Sequence, residues 1–284
     1  MLDRTVGWLL GAACTALIVV LASTHRVVPR CPAGMEPLGA RCCGLGQRLE
    51  AGLCVGAPRA CGEGLERRTG STEGCVAPRR RVPVGAGQSS WRPPDDTAGA
   101  GEIARTGAFA IDAYEVTWDA WARCVAAQRC PSLPAGDPGQ AVSGVTRDEA
   151  RLFCRFVGGR LPTDAEWLRA AIGDVERRYP WGDPDALCLR AAFALDGRCA
   201  RGATGPDTAG ARPWGKTPSG VHDLAGNVAE WVDDGAPAGD VAVRGGSFRE
   251  HDAMALRPRW RRVVIDGSRH DWIGLRCVYD EATP

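Results

Sequence analysis

The chain lacks a surplus of charge of either sign. Its 284 residues carry 35 Lys and Arg against 34 Asp and Glu, a formal net charge of +1. Binding to nucleic acid through phosphates needs a basic face, so no nucleic-acid partner is expected. Tyrosine and phenylalanine are also scarce, at 3 and 5 residues, whereas 10 tryptophans stand among 37 glycines and 20 prolines. This composition favours one or two loop-rich domains with large aromatic anchors over a helical bundle.

No Cys-x-x-Cys pair occurs, although the chain has 13 cysteines. Zinc ribbons and thioredoxin-type sites use that spacing, so both are disfavoured. Cysteines in this number are typical of proteins that form disulfide bonds in an oxidising compartment. We therefore expect most of the cysteines to be paired outside the cytoplasm.

The N-terminal residues 1–30 contain one long uncharged run, Thr5–Ser23. As a helix it reaches about 28 Å, close to the roughly 30 Å hydrocarbon core of a bilayer. The run favours a retained signal anchor, and a signal peptide cleaved after Val20-Leu21-Ala22 is the alternative. Because cysteines follow, we expect a single-pass protein of the cell membrane whose main domain is extracytoplasmic, periplasmic or extracellular.

Residues 31–76 contain three similar units that open Cys-x-x-Gly and end at a cysteine. With so few aromatic and β-branched residues the segment cannot bury a core, so we expect disulfides to hold it together as a stiff spacer. Six cysteines allow fifteen connectivities. The repeat favours pairing within each unit: Cys31–Cys42, Cys43–Cys54 and Cys61–Cys75. A linker at 77–81 and a main domain at 82–284 follow.

Local patterns predict several elements of the main domain. The residue pattern predicts a strand at Ile111–Val116 and a helix with Thr117 as its N-cap directly after it. Capping boxes beginning at Thr146 and Thr163 predict two more short helices. Further strands are expected from Val243 to a glycine pair and over Ile273–Val278. Two local cysteine pairs are also close enough to form bonds: Cys124–Cys130 and Cys188–Cys199.

The stretch Gly220–Val232, G-V-H-D-L-A-G-N-V-A-E-W-V, combines glycines, aliphatic residues and side-chain oxygens. Gly226 and Asn227 in its middle disfavour a helix. One interpretation is a tight turn before a strand that begins near Ala229. The other is a site for a hard cation such as calcium, since oxygen ligands would converge there. The oxygens would come from three side chains: Asp223, Asn227 and Glu230.

Six motifs occur in a fixed order from Val82 to Tyr279: I-D-A-Y-E-V-T, G-G-R-L-P-T-D-A-E-W, Y-P-W-G, G-V-H-D-L-A-G-N-V-A-E-W, R-G-G-S-F and G-L-R-C. In this order they resemble the sulfatase-modifying-factor family, which includes the formylglycine-generating enzymes. The resemblance implies an α+β fold of the C-type-lectin-like kind with little regular secondary structure. It covers neither the N-terminal run nor the cysteine repeats.

The resemblance also implies structural calcium in the Gly220–Val232 stretch. Asp223 and Glu230 would supply carboxylate oxygens, and Gly226 and Val228 would supply backbone carbonyls. A second calcium site of the family uses an asparagine near Ala191 or Ala192, where this chain has none, so that site is not expected. A long-range disulfide is implied as well, Cys154–Cys277, which leaves Cys124–Cys130 and Cys188–Cys199 as local pairs.

Formylglycine-generating enzymes use a copper-binding cysteine pair just after the Gly-Gly-Ser motif. This chain has no cysteine between Cys199 and Cys277. No copper is therefore expected, although Ser247 matches a residue of the family's active site. Near it stand side chains that could line a groove or hold another metal, or could form a solvated loop: Glu250, His251, Asp252, His270 and Asp271.

The arginine run Arg257–Arg262 adds cations that could bind an anion or a peptide carboxylate, or could be a surface run anchored by Trp260. His222 is expected to be structural. A candidate ligand groove thus comprises Ser247, Glu250, His251, Arg257 and Arg259.

The pattern favours a membrane-anchored, non-catalytic recognition module for a protein, peptide or glycan. The alternative is a metal-dependent oxidoreductase with the ligands Glu250, His251 and His270 in place of cysteines. A formylglycine-generating oxidase acting by an unusual route is the third hypothesis.

Overall fold

The structure is a computed structural model. It describes residues 31, 33–39, 41–50, 53–62, 65–68, 74–91, 102–134, 136–175, 177–194, 205–233 and 239–280. The predicted anchor at Thr5–Ser23 lies outside these residues. Within the described ranges, no helix has the length and apolar character needed to cross a membrane. The anchor therefore stays a prediction.

The cysteine-rich segment forms three small antiparallel hairpins and contains three disulfide bonds. The bonds are Cys31–Cys42, Cys43–Cys54 and Cys61–Cys75, the pairs expected within the repeats. The paired strands are β1 (Met35–Leu38) with β2 (Arg41–Gly44), β3 (Arg48–Glu50) with β4 (Leu53–Val55), and β5 (Glu66–Arg68) with β6 (Gly74–Val76).

This segment packs against the main domain and is not held away from it as a free spacer. The backbone N–H of Cys54 donates to the Asp137 carboxylate at 2.8 Å. A Cβ added at Gly139 would lie 1.9 Å from the carbonyl oxygen of Cys75, so the two backbones touch. Only glycine permits so close an approach.

The residues expected to form a linker, 77–81, also contact the main domain. Arg79 donates to the Tyr279 hydroxyl at 2.9 Å, and Arg80 donates to the carbonyl oxygen of Gly220 at 2.7 Å. Arg81 begins the first strand of the main sheet. The chain therefore enters the main domain without a detached connection.

The first sheet of the main domain has three antiparallel strands in the order β15-β10-β7. The strand predicted at Ile111–Val116 is observed at Phe109–Asp112, so its boundaries were wrong. Beyond Asp112, the N–H groups of Ala113 and Val116 bond singly to Arg80 and Leu275 and form no ladder. The strands are β7 (Arg81–Val84), β10 (Phe109–Asp112) and β15 (Val278–Asp280), and a separate hairpin pairs β8 (Gly87–Trp91) with β9 (Glu102–Thr106).

The second sheet has the order β13-β12-β11-β14, in which β11 and β14 are parallel and the other pairs antiparallel. The strand predicted at Ile273–Val278 proved to be two short strands in different sheets. The residues between them cross from one sheet to the other, which lets Arg276 enter the interior. The strands are β11 (Ala229–Trp231), β12 (Asp240–Arg244), β13 (Arg261–Ile265) and β14 (Ile273–Gly274).

Three short helices complete the regular structure: α1 (Trp118–Ala126), α2 (Arg147–Phe156) and α3 (Asp164–Ile172). The predicted N-caps are confirmed: the Thr117 side chain accepts from Ala120, and full capping boxes start at Thr146 and Thr163. Each box satisfies two backbone N–H groups that a helix start leaves without partners.

Aromatic residues and disulfides hold the core, as the composition suggested. Trp121 on α1 stacks on Phe153 of α2, with ring centroids 5.7 Å apart. Cys154 bonds to Cys277 and Cys124 to Cys130. The predicted Cys188–Cys199 pair involves Cys199, which lies outside the described residues. Few helices and mixed sheets agree with the α+β class.

Candidate functional site

The Gly220–Val232 stretch ends in a fully buried ion pair. Glu230 on β11 and Arg276, between β14 and β15, are both 0% exposed. Arg276 donates to both carboxylate oxygens of Glu230, each at 2.7 Å, and the Trp167 indole donates to the second oxygen at 2.6 Å. Two parallel N–H bonds to one carboxylate form a strong, geometrically defined pair.

Other polar groups surround this pair. Asn227 takes the left-handed conformation at φ 59°, which Asn tolerates better than most residues. Its amide nitrogen donates to the Glu115 carboxylate, and its oxygen accepts from the Asp207 N–H at 2.7 Å. The Asp223 carboxylate accepts from the Gly210 N–H at 2.5 Å. The stretch is therefore a turn whose side chains bind neighbouring loops.

Burial of so many charges shifts their pKa values. Burial raises the pKa of Glu115 well above its usual range, and the negative charges of Asp223 and Glu230 add to that shift. Burial likewise raises the pKa of Asp223 to about 6. Burial alone would lower the pKa of Arg276, but the charge and hydrogen bonds of Glu230 raise it.

His222 precedes Asp223 and is buried, as the structural interpretation of this residue requires. Its ring packs on Tyr114 at 4.6 Å between centroids. Burial, together with the nearby cations Lys216 and Arg80, lowers the pKa of His222 to about 4. A neutral imidazole therefore suits this position.

One of the four residues predicted to bind calcium, Glu230, already has a cationic partner. Both Glu230 oxygens face the Arg276 guanidinium, which already supplies the positive charge. No group of three or more His, Cys, Asp or Glu suited to a metal is found among the described residues. Calcium at Asp223, Gly226, Val228 and Glu230 stays a prediction.

The same turn positions the Gly-Gly-Ser loop. Gly226 donates to the carbonyl oxygen of Gly245, and Phe248 donates to that of Asn227, both at 2.8 Å. Gly245 and Gly246 have φ values of 92° and 65°, which glycine adopts at no steric cost. The glycine pair thus ends β12 and leads the chain into a loop that begins at Ser247.

In the Ser247 loop an ion pair lies where the family resemblance places a cysteine pair. The Ser247 hydroxyl donates to Glu250 at 3.4 Å, and Arg262 donates to the other Glu250 oxygen at 3.0 Å. The Arg262 guanidinium carbon lies 5.0 Å from the centroid of the Trp272 ring. Glu250 is therefore held by one cation that is itself stacked on an aromatic face.

The remaining candidate metal ligands have other roles. His251 is exposed, and Asp252 caps a short 3-10 helix through the N–H of Met254. The ring of His270 lies 5.0 Å from that of Trp272, and its Nε2 is 3.1 Å from the Ser268 hydroxyl. Asp271 pairs with Arg249. The structure thus favours a surface of ion pairs and aromatic contacts over a metal centre.

The arginine run is divided between structural and surface roles. Arg261 lies 3.7 Å from the Asp164 carboxylate, which also pairs with the buried Arg244 of β12. Arg257, Arg259 and Trp260 are partly buried. The run therefore places Arg261 near Asp164 and Arg262 beside Glu250.

No free thiol lies in this loop, because residues 239–280 contain Cys277 alone, and it is bonded to Cys154. Each cysteine for which the structure gives a position is disulfide-bonded. Copper-thiolate chemistry of the kind implied for formylglycine-generating enzymes has no ligands here.

Arg276, Glu115 and Trp167 were not predicted from the sequence as parts of the buried centre. Arg276 stands in the apolar run I-G-L-R-C-V, where a charged residue needs a buried partner. That isolated arginine is a signal that could have found the pair. Glu115 gives a similar signal, since it lies between Tyr114 and Val116.

Comparison with known proteins agrees with this architecture. Residues 71–281 match the sulfatase-modifying factor enzyme 1-like domain, so the chain belongs to that family. It is 32% identical over 170 residues to a hercynine oxygenase of Mycolicibacterium thermoresistibile, covering 50% of this chain and 36% of that protein. It is 32% identical over 170 residues to a formylglycine-generating enzyme of Streptomyces coelicolor, covering 51% and 54%.

A third relative is the inactive C-alpha-formylglycine-generating enzyme 2 of Bos taurus, 31% identical over 152 residues and covering 49% of this chain and 50% of that protein. The chain thus spans about a third to a half of the length of these relatives. The structure resembles PvdO from Pseudomonas aeruginosa at a TM-score of 0.57 and 22% identity, covering 71% of this chain and 94% of PvdO. This likeness concerns the fold alone.

Proposed function

We propose that the protein is a membrane-anchored, extracytoplasmic recognition module that has the family fold without the family's thiol chemistry. The observation that carries the proposal is the Ser247–Glu250–Arg262 arrangement. Glu250 and the stacked Arg262 guanidinium can bind a polar partner, while the buried Ser247 hydroxyl donates to Glu250. None of these groups can exchange with a substrate thiol.

Two further observations support this proposal. The scaffold around the loop is intact, because the Glu230–Arg276 pair and the Gly226–Gly245 bond still position Ser247. A relative of this chain carries the word inactive in its name, which is consistent with loss of activity within the family. The partner would be a protein, peptide or glycan that contacts Glu250, His251, Arg257, Arg259 and Arg262.

The proposal is tested with the purified full chain. It is incubated with a cysteine-containing peptide, cuprous ion and oxygen, and aldehyde is trapped with a hydrazide. We expect no aldehyde above a protein-free blank, while the Streptomyces coelicolor relative serves as the positive control. Aldehyde formation by this chain would refute the non-catalytic assignment.

A metal-dependent oxidoreductase remains the competing hypothesis, since one relative is named an oxygenase. Metal analysis separates the two functions. Stoichiometric iron, copper or zinc that disappears in a Glu250→Gln, His251→Gln, His270→Gln triple variant would favour the oxidoreductase. Retention of peptide or glycan binding by metal-free protein would favour the recognition module.

A further inference from the structure

Trp214 lies at the surface of the main domain with 71% of its area exposed, whereas Trp121, Trp167 and Trp231 are at most 1% exposed. Burying a tryptophan ring away from water is strongly favourable, and the indole N–H can still donate a hydrogen bond at the edge of the ring. Such a ring at the surface is typical of a contact site, either with a protein or at a membrane interface.

The turn that carries Trp214 is rigid. Trp214 is the middle residue of a 3-10 turn, Pro213–Gly215, whose first residue has a fixed φ. Gly215 donates to the Arg212 carbonyl oxygen at 2.9 Å. A Cβ added at Gly215 would lie 1.9 Å from the Arg190 carbonyl oxygen, so the backbone of this turn contacts that of the turn containing Leu187 and Arg190. Because the turn is already ordered, little conformational entropy should be lost when the Trp214 ring contacts a partner.

The neighbouring turn adds a second apolar side chain, Leu187, which is 46% exposed. Arg190 and Ala191 donate to the Leu187 carbonyl oxygen at 2.8 and 3.1 Å. The buried Arg212 also donates to the Cys188 carbonyl oxygen and thereby joins the two turns. We define the Trp214 patch as Leu187, Arg190, Trp214 and Lys216.

The patch combines two exposed apolar groups with two cations. Lys216 is exposed and Arg190 is partly buried on the same pair of turns. Lys216 is also the only lysine in the chain. Tryptophan beside lysine or arginine is the chemistry found at the boundary between headgroups and acyl chains, where the ring enters and the cation stays near the phosphates.

The Trp214 turn comes shortly after a residue, Gly210, that contacts the cysteine-rich segment, and this segment directly follows the predicted anchor in the sequence. A Cβ added at Gly139 would lie 3.2 Å from Thr208, and one at Gly210 would lie 3.5 Å from Leu65 of the cysteine-rich segment. The Trp214 turn follows four residues after Gly210. Cys31 comes eight residues after Ser23, and eight extended residues reach at most about 28 Å.

We infer that the Trp214 patch contacts the phospholipid interface of the membrane that carries the anchor. Trp214 and Leu187 enter the headgroup boundary, while Lys216 and Arg190 face lipid phosphates. Contact at this point orients the main domain on the membrane. The inference rests on the membrane anchoring in the proposed function.

The full chain is reconstituted into phosphatidylcholine–phosphatidylglycerol vesicles, with and without lipids brominated near the headgroup, and tryptophan fluorescence is recorded. We expect bromolipid to quench the wild type more than Trp214→Phe. Trp260→Phe, which removes a partly buried ring elsewhere, should be quenched like the wild type. Leu187→Ser with Lys216→Glu should reduce quenching while Trp214 is still present.

Equal quenching of the wild type and Trp214→Phe would overturn the inference and would leave the patch for a protein partner. Alkaline carbonate extraction of native membranes tests the anchor separately. If the chain is extracted, the proposed anchoring has failed. If it stays in the membrane but the Trp214 emission is not quenched, the anchoring stands and only the lipid contact is wrong.

Discussion

Two Glu–Arg pairs lie close together in the fold, and they differ in almost every physical respect. Glu230 and Arg276 are both 0% exposed and are joined by two hydrogen bonds. Glu250 and Arg262 are joined by one hydrogen bond at 3.0 Å, and the Arg262 side chain is 40% exposed, whereas that of Glu250 is 11% exposed. The first pair is part of the scaffold, and the second lies where solvent and partners can reach it.

The comparison shows how a family fold can persist while its chemistry changes. Removing one residue of the buried pair should strongly destabilise the fold, because the other would remain as an unpaired charge in the interior. Replacing a residue of the Glu250–Arg262 pair should lower stability less, because water can reach the Arg262 side and compensate for part of the lost interaction. We therefore expect the fold to tolerate substitution of Glu250 or Arg262, so the thiols that the family resemblance implies can be absent without loss of structure.

The largest effect is expected from breaking the buried pair. Arg276→Met should lower the free energy of unfolding by about 3–5 kcal/mol, because Glu230 is left as an unpaired buried charge. Arg262→Met makes the same chemical change at the surface pair and should cost no more than about 1 kcal/mol. Urea unfolding of both variants measures the difference, and equal losses would contradict the distinction between the pairs.

The disulfide next to Arg276 supplies the second prediction. Cys154–Cys277 closes a loop of 123 residues, whereas Cys124–Cys130 closes a loop of 6. Loop-closure entropy then assigns about 4–5 kcal/mol to the first bond and about 2 kcal/mol to the second. The paired Cys→Ala variants should follow that order in urea unfolding, and the reverse order would show that local packing outweighs chain entropy.

The third prediction concerns the helix that supports the buried pair. Trp167 of α3 donates to Glu230, and α3 begins at the Thr163 capping box. Thr163→Ala removes the cap and should cost about 1 kcal/mol. Thr163→Ser keeps the hydroxyl and should stay near the wild type. A Thr163→Ser loss as large as that of Thr163→Ala would indicate a packing effect of the methyl group instead.

Local sequence signals predicted this helix well but could not predict the buried centre. The capping boxes at Thr146 and Thr163 involve residues three positions apart, so their geometry follows from the chain itself. Glu230 and Arg276 are 46 residues apart, and their pairing depends on how two sheets assemble. The same assembly divided the predicted strand Ile273–Val278.

Disulfide pairing, too, was predictable from the residues alone only where the two cysteines lie close in the sequence. The repeat gave the three pairs within the cysteine-rich segment, while Cys154–Cys277 was expected only from the resemblance to the family. Calcium binding stays a prediction: the motif residues are present, and both Glu230 oxygens accept hydrogen bonds from Arg276. Residue type alone does not specify the partner of a buried carboxylate.

The smallest effect is expected at Glu250. Glu250→Gln removes a charge from the surface pair but keeps the side-chain shape, so stability should change by no more than about 1 kcal/mol. Binding should respond more strongly, because the freed Arg262 guanidinium becomes available to an acidic ligand. Screening wild type and variant against acidic and neutral peptides and glycans measures this, with Glu50→Gln, at the exposed Arg48–Glu50 pair, as the matched control. If both variants bind alike and Glu250→Gln is also unstable, the Ser247 loop belongs to the scaffold, and the contrast between the two pairs disappears.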